Sequence, residues 1–503
     1  MAGGKFHESL FRYGWLWSNG SMDSGSNNGL GICGLTAIEM AAMLATGEIS
    51  ARELLAAHLE RIEQVNPALN AIVTFTPELA AERAAAADEA HARGESLGLL
   101  HGLPVAHKDL ALTAGVRTTM GSPLFADFVP DIDALVVERQ REAGAVMVGK
   151  TNTPEFGAGS HTFNPVFGIT RNPYNVDKTC GGSSGGAAVA LAARMLPLCD
   201  GSDLGGSLRN PAAFCNIVGF RPSPGRVPST TSMDAWFPLA VEGPMARTVA
   251  DVAFFLQALA GPDDRSPVSN QESPKVFAGS LERDLRGVRV AWSPDAGGLP
   301  VDPAVRAATA KVPDVLSGLG CEVVEGWPDL SDAPQVFQAR RAWVFAVGFG
   351  SLLSEHGDQM KETLVWNIEK GLSMSIADYA DACRRHTQLF AAVDDFMSPD
   401  GGIDYLACPT TQVPPFDVEV EYPTEIEGVE FETYIDWMRS CSDITVTTHP
   451  AISVPAGFTP DGLPVGLQLI GRHRADRSVL ELAHAWETAT RHVDVLPSLS
   501  GLS

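Results

Sequence analysis

The chain has 503 residues, with 36 Lys plus Arg against 61 Asp plus Glu and a net charge of −25. That balance argues against a nucleic-acid binder and against docking on anionic membranes, because both need a basic face. Hydrophobic residues make up 45% and charged residues 19%, the composition of a folded protein and not of a disordered one.

At roughly 150 residues per domain, length alone suggests about three domains. Cys33, Cys180, Cys199, Cys215, Cys321, Cys383, Cys408 and Cys441 form no CxxC pair and no zinc-finger spacing with His. No HExxH occurs, so buried free thiols are expected and no metal or other cofactor. The N-terminus lacks the apolar stretch of a secretory signal, and no apolar run reaches membrane-span length. A cytoplasmic protein is the expectation. Residues 1–35 read as a lead-in, aromatic at first (Phe6, Phe11, Tyr13, Trp15, Trp17) and then Ser/Asn/Gly-rich and flexible over 18–31.

Order is predicted from Thr36. Thr36-Ala-Ile-Glu39 and Ser50-Ala-Arg-Glu53 are capping boxes, each opening a helix. The second helix buries Leu54, Leu55, Leu59, Ile62 and Val65, with His58 as a core histidine on that face. Asn66-Pro67 predicts its end. An Ala-rich helix follows over 77–93. Leu103-Pro-Val-Ala106 reads as a strand ending at Lys108-Asp109, 133–143 as a helix and 145–149 as a buried strand. Residues 171–179 read as a loop and 185–195 as a helix in a Gly-rich stretch. Later come a strand at 288–292, a helix at 303–319, an almost entirely helical region at 333–397, strands at 404–408 and 451–455, and an amphipathic helix at 476–491. Alternating helix and strand predicts an α/β layered fold. No linker composition divides 36–495.

The chemistry concentrates around Gly181-Gly-Ser-Ser-Gly-Gly186. As a phosphate cradle the run lacks the Gly-Lys-Ser/Thr ending. As a nucleophile elbow it matches G-x-S-x-G, but it needs a strand before it and Asp404 and His449 to complete a triad. As a structural feature it lets backbones approach closely. It is followed by Asp203-Leu-Gly-Gly-Ser207-Leu-Arg209-Asn-Pro211 and preceded by Gly102-Leu-Pro-Val-Ala-His-Lys108-Asp109. No SxxK motif exists, which removes the penicillin-binding type of Ser-Lys enzyme.

This constellation resembles the amidase signature family of Ser-cisSer-Lys hydrolases. Gly149-Lys-Thr-Asn-Thr-Pro-Glu-Phe156, Val241-Glu-Gly-Pro-Met-Ala-Arg-Thr248 and Gly462-Leu-Pro-Val-Gly-Leu-Gln468 also fit, so the resemblance covers about 36–490. Cys199 departs from it, standing where a smaller residue is usual. The resemblance implies an α/β/α layered fold with a large central mixed sheet, and one domain over 36–503 with 333–397 on the substrate side.

It also implies the roles. Ser207 is the nucleophile, Ser183 the bridging serine after a cis bond from Gly182, and Lys108 the base. The N–H groups of Leu204, Gly205, Gly206 and Ser207 form the oxyanion hole. Ser184, Ser202, Asp203 and Arg209 support the loop. A lysine base must lose its charge near neutral pH, which requires burial. Met120, Leu124, Phe125, Phe163, Trp236 and Phe237 are pocket candidates by location. The implied activity is hydrolysis of amides, with carbamates (urethanes) and esters sharing the carbonyl geometry. The implied partner is a small-molecule substrate, with the protein a monomer or homodimer. The alternatives are one subunit of a transamidase that works on aminoacyl-tRNA with partner chains, and an inactive binding protein of the same fold.

Overall fold

A computed structural model describes residues 30–95, 97–231, 233–398 and 402–499. The five aromatic residues of the lead-in lie outside these. Its last residues are not loose: Gly31–Gly34 forms a 3-10 turn with Cys33 buried, and the Leu35 carbonyl accepts from Arg247.

Both capping boxes form. The Thr36 hydroxyl accepts from Glu39 N–H and opens the helix Ala37–Thr46. Ser50 does the same with Glu53 for Ala51–Leu69. This second helix passes through Pro67, contrary to the sequence expectation. Asn70, at φ 52°, closes it by donating to the Asn66 carbonyl at 2.7 Å. The Asn66 side chain meanwhile accepts from Ala71 and Ile72 N–H at 2.9 Å each. The helix expected over 303–319 is two, Pro303–Thr309 and Val312–Gly318. Pro313 has no N–H for the Thr309 carbonyl, so the ladder breaks there. Residues 171–179 form a hairpin of Arg171–Asn172 and Asn175–Thr179 where a loop was expected. Asn172 Oδ1 accepts from Tyr174 N–H at 2.9 Å and turns the chain.

An 11-stranded mixed sheet runs through the molecule. Its strands in chain order are β1 (Ile72–Phe75), β2 (Pro104–Lys108), β3 (Val146–Thr151), β4 (Leu198–Asp203), β5 (Val218–Arg221), β6 (Val241–Ala246), β7 (Arg289–Trp292), β8 (Glu322–Glu325), β9 (Tyr405–Pro409), β10 (Ala451–Phe458) and β11 (Pro464–Gly471). The spatial order is β1-β3-β2-β4-β6-β5-β10-β11-β9-β7-β8. β2 runs parallel to β3 and β4, and β6 runs antiparallel to β4. Cys199 is fully buried in β4, paired with Ala106 on one side and Met245 on the other.

Two apolar clusters cover the sheet. One joins Met40, Leu54, Val105, Val189, Phe255 and Trp486. The other lies beneath the helices Ala333–His356, Glu362–Ser373 and Ile376–Phe396 and contains Phe337, Phe345, Ile368 and Trp437. His58 is a core histidine, its Nδ1 2.9 Å from the Met195 carbonyl. Among the described residues no helix is long and apolar enough to cross a membrane.

Candidate functional site

The site lies where β2 and β4 end together. Lys108 is the last residue of β2 and is buried. Its Nζ lies 2.7 Å from Ser183 Oγ, 3.0 Å from Ser184 Oγ and 3.0 Å from Ser202 Oγ. No carboxylate touches it. Burial pushes Lys108 down to about 7, against the pull of Asp203, Asp200 and Glu242. Three hydroxyls around one buried amine form an arrangement in which protons can be exchanged near neutral pH.

Two clamps hold the serine segment. Ser160 Oγ donates to the Gly182 carbonyl at 2.7 Å and Thr162 Oγ1 to the Gly181 carbonyl at 2.8 Å. The Gly182–Ser183 peptide bond is cis. Ser184 N–H donates to the Ser207 carbonyl at 3.1 Å, which ties the serine segment to the loop after β4. Ser207 and Ser202 are half-buried, whereas Ser183 and Ser184 are buried.

Asp203 organises that loop. Its carboxylate accepts from Gly206 N–H at 2.9 Å, Leu208 N–H at 3.1 Å, Arg209 Nε at 3.0 Å and Arg221 Nη1 at 3.2 Å. Burial alone would raise this carboxyl, but Arg209 and Arg221 hold it well below the usual carboxylate range. Arg209 is fixed in turn by Gln468 Oε1 at 2.6 Å and Thr445 Oγ1 at 2.8 Å. The Gln468 contact ties β11 to the loop that carries Ser207. Gly206 N–H, one of the expected oxyanion donors, is given to the Asp203 carboxylate in this structure. Gly206 also has φ 118°, and a Cβ there would lie 2.7 Å from both Asn210 Nδ2 and Cys441 Cβ. Leu204 and Gly205 face the helical cluster, and a Cβ on Gly205 would meet Phe337 at 2.8 Å.

Sequence reasoning missed the group behind the base. Asp200 accepts from Lys108 N–H at 3.0 Å, His107 Nδ1 at 2.5 Å and Gln140 Nε2 at 2.9 Å. It therefore fixes the backbone of the residue that carries the amine. His107 stands in the lysine segment of the motif, but only folding brings Asp200 beside it. Arg221 was missed for the same reason.

The pocket candidates divide. Met120, Leu124 and Phe125 are half-buried against the same cluster as Leu204, Phe337 and Phe349. Phe163 is half-buried, with Lys361 Nζ 4.5 Å above its ring. Phe237 is sealed in the core, with the Arg340 guanidinium 5.3 Å from its ring, and Trp236 is 72% exposed. One is core and the other surface. The elbow alternative also fails. A strand does precede Gly181, but His449 Nδ1 lies 2.8 Å from the Thr447 carbonyl and Asp404 accepts from Arg289 N–H.

Comparison with known proteins shows which family the chain is similar to. A family model described as Amidase matches residues 53–480. An acylamidase of Rhodococcus erythropolis is 36% identical over 468 residues, covering 92% of this chain and 97% of that protein. One subunit of the glutamyl-tRNA(Gln) amidotransferase of a Synechococcus species is also 36% identical, over 475 residues, covering 89% of this chain and 95% of that one. Among solved structures, a bacterial aryl acylamidase of the amidase signature family superposes with a TM-score of 0.85 at 29% identity, covering 92% of this chain and 98% of that one.

Proposed function

Because the chain belongs to the amidase family, we propose that it hydrolyses the C–N bond of small amides through an acyl-enzyme on Ser207. The observation that carries this reading is the Lys108 amine, buried without a touching carboxylate and 2.7 Å from Ser183 Oγ. In the neutral form its lone pair accepts a proton from Ser183, and that contact runs from hydroxyl to amine.

Ser207 Oγ attacks the carbonyl carbon. Its proton passes to Ser183 Oγ while the Ser183 proton passes to Lys108 Nζ. The tetrahedral oxyanion is met by the N–H groups of Leu204, Gly205 and Ser207. The C–N bond then breaks and the leaving nitrogen takes the proton back along the same relay. Water attacks the acyl carbonyl, the relay accepts its proton, and Ser207 Oγ leaves as the hydroxyl. Asp203, with Arg209 and Arg221, holds the loop in shape throughout. Met120, Leu124, Phe125 and Phe337 supply an apolar wall that suits aryl or aliphatic acyl groups, and carbamates or esters enter by the same geometry. Residues 36–503 act in this reading as one catalytic body.

The second reading is a transamidase subunit, favoured by the amidotransferase relative at equal identity. The net charge of −25 leaves RNA contact to partner chains in that case. One experiment separates the two: hydrolysis of anilides, primary amides, esters and aryl carbamates by the isolated chain, with Ser207→Ala as the blank. Turnover above the blank supports the free hydrolase. Activity that appears only with partner chains and an aminoacyl-tRNA supports the second.

A further inference from the structure

The segment Val241–Ala246 carries a carboxyl that the proposed chemistry does not use. Glu242 lies directly opposite Ser202 in the antiparallel pairing of β6 with β4. Side chains directly opposite in such a pair share a face, and residues two apart on one strand do too. Glu242, Ser202 and Asp200 therefore lie on one face, and Ser202 Oγ touches the Lys108 amine at 3.0 Å. Glu242 is half-buried as a residue, but its Oε2 is enclosed and meets no hydrogen-bond partner.

Its surroundings determine which group keeps a charge. Asp200 has three donors, from His107, Gln140 and Lys108 N–H, and so holds the negative charge on this face. Arg139, on the helix Leu135–Glu142, is engaged by the carbonyls of Leu259 and Gly261. Ser229, from the loop after β5, favours the ionised form of the Glu242 carboxyl. Lys108, from β2, also acts on Glu242, and Lys150, from β3, acts on Asp200. We propose that Glu242 is a positioning residue whose charge, acting across Ser202, raises the pH at which the Lys108 amine becomes available as a base. This rests on the assignment of Lys108 above.

The electrostatics agree. Burial first, and then Asp200, push the Glu242 carboxyl up to about 8, against the pull of Arg139 and Lys108. When Glu242 ionises, its charge favours the ammonium form of Lys108 and withholds the base. Removing the carboxyl removes that pull, so the base appears at lower pH.

The test is the rate at which a fluorophosphonate labels Ser207, measured from pH 5 to 10 in the native chain, Glu242→Gln, Glu242→Val and Lys108→Ala. Expected is an ascending limb in the native profile that moves to lower pH by about half a unit in Glu242→Gln. Labelling on that limb then runs about threefold faster. Glu242→Val should move the limb in the same direction, and Lys108→Ala should remove it. A Glu242→Gln profile that is scaled but not displaced, with the limb still lost in Lys108→Ala, overturns the proposal alone. A native limb that survives in Lys108→Ala overturns both the proposal and the assignment of the base.

Discussion

Lys108 and Lys150 sit on neighbouring strands, and both side chains are enclosed. Burial pushes the first down to about 7 and the second to about 8. Their partners differ in kind. Lys150 Nζ donates to the Ala111 carbonyl and, at 2.8 Å, to Thr113 Oγ1, and it lies in the field of Asp109. A carbonyl has no proton to give, so Lys150 is held as a donor that joins β3 to the loop after β2. Among the described residues Lys108 Nζ meets serine hydroxyls and the Ser202 carbonyl at 3.5 Å, and hydroxyls both give and accept protons. Burial alone does not make a base. The surrounding groups decide whether a lowered pKa is used for chemistry or for structure.

The comparison is tested most severely at Ser207. Ser207→Ala should lower turnover of an anilide by about 10⁵-fold or more, by analogy with serine hydrolases that lose their nucleophile. Activity near the native level would mean that the hydroxyls around Lys108 are as structural as those around Lys150. Lys108→Ala should cost about 10²- to 10⁴-fold in kcat, the usual worth of a positioned general base, with the circular dichroism spectrum unchanged.

Lys150→Met should behave oppositely. Leaving the Ala111 carbonyl unpaired should cost about 1–3 kcal/mol in urea unfolding, while kcat per folded molecule stays within about threefold. A loss comparable to that of Lys108→Ala, in folded protein, would erase the distinction drawn above. The smallest effect concerns pH. Both lysines titrate lower in the folded chain than at the ordinary 10.5. Between about 7 and about 10.5 the unfolded chain therefore binds more protons, and stability rises with pH across that window. Lys108→Met should flatten part of this slope, measured as Tm against pH. Activity of the native chain should climb through pH 7 and level above it, because the base must be uncharged.

How much of this was legible in the sequence depends on the range of the interaction. Capping boxes at Thr36 and Ser50, and the helical region over 333–397, depend on residues three or four apart and were readable. β4, β5, β6 and β11 were not identified as strands. They are buried on both faces or rich in Gly and Pro, so they show no alternation to read. Yet these are the strands that surround the site. The hairpin before Gly181 was missed because its turn rests on one Asn side chain. Among the pocket candidates, Trp236 and Phe237 are adjacent, yet one faces solvent and the other the core. Nothing local in the sequence distinguishes them.

By itself the sequence determined the charge, the absence of a zinc-type motif, the layered α/β class and the spacing of Lys108, Ser183 and Ser207 that marks the family. The tertiary structure alone decided what surrounds them. It brought Asp200 under the lysine backbone, set Arg221 beside Asp203, gave Gly206 N–H to the Asp203 carboxylate and placed Glu242 across from Ser202. The reason is physical. A motif records residues that must be near one another along the chain, whereas desolvation and ion pairing depend on distances in space between segments 18 to 92 residues apart.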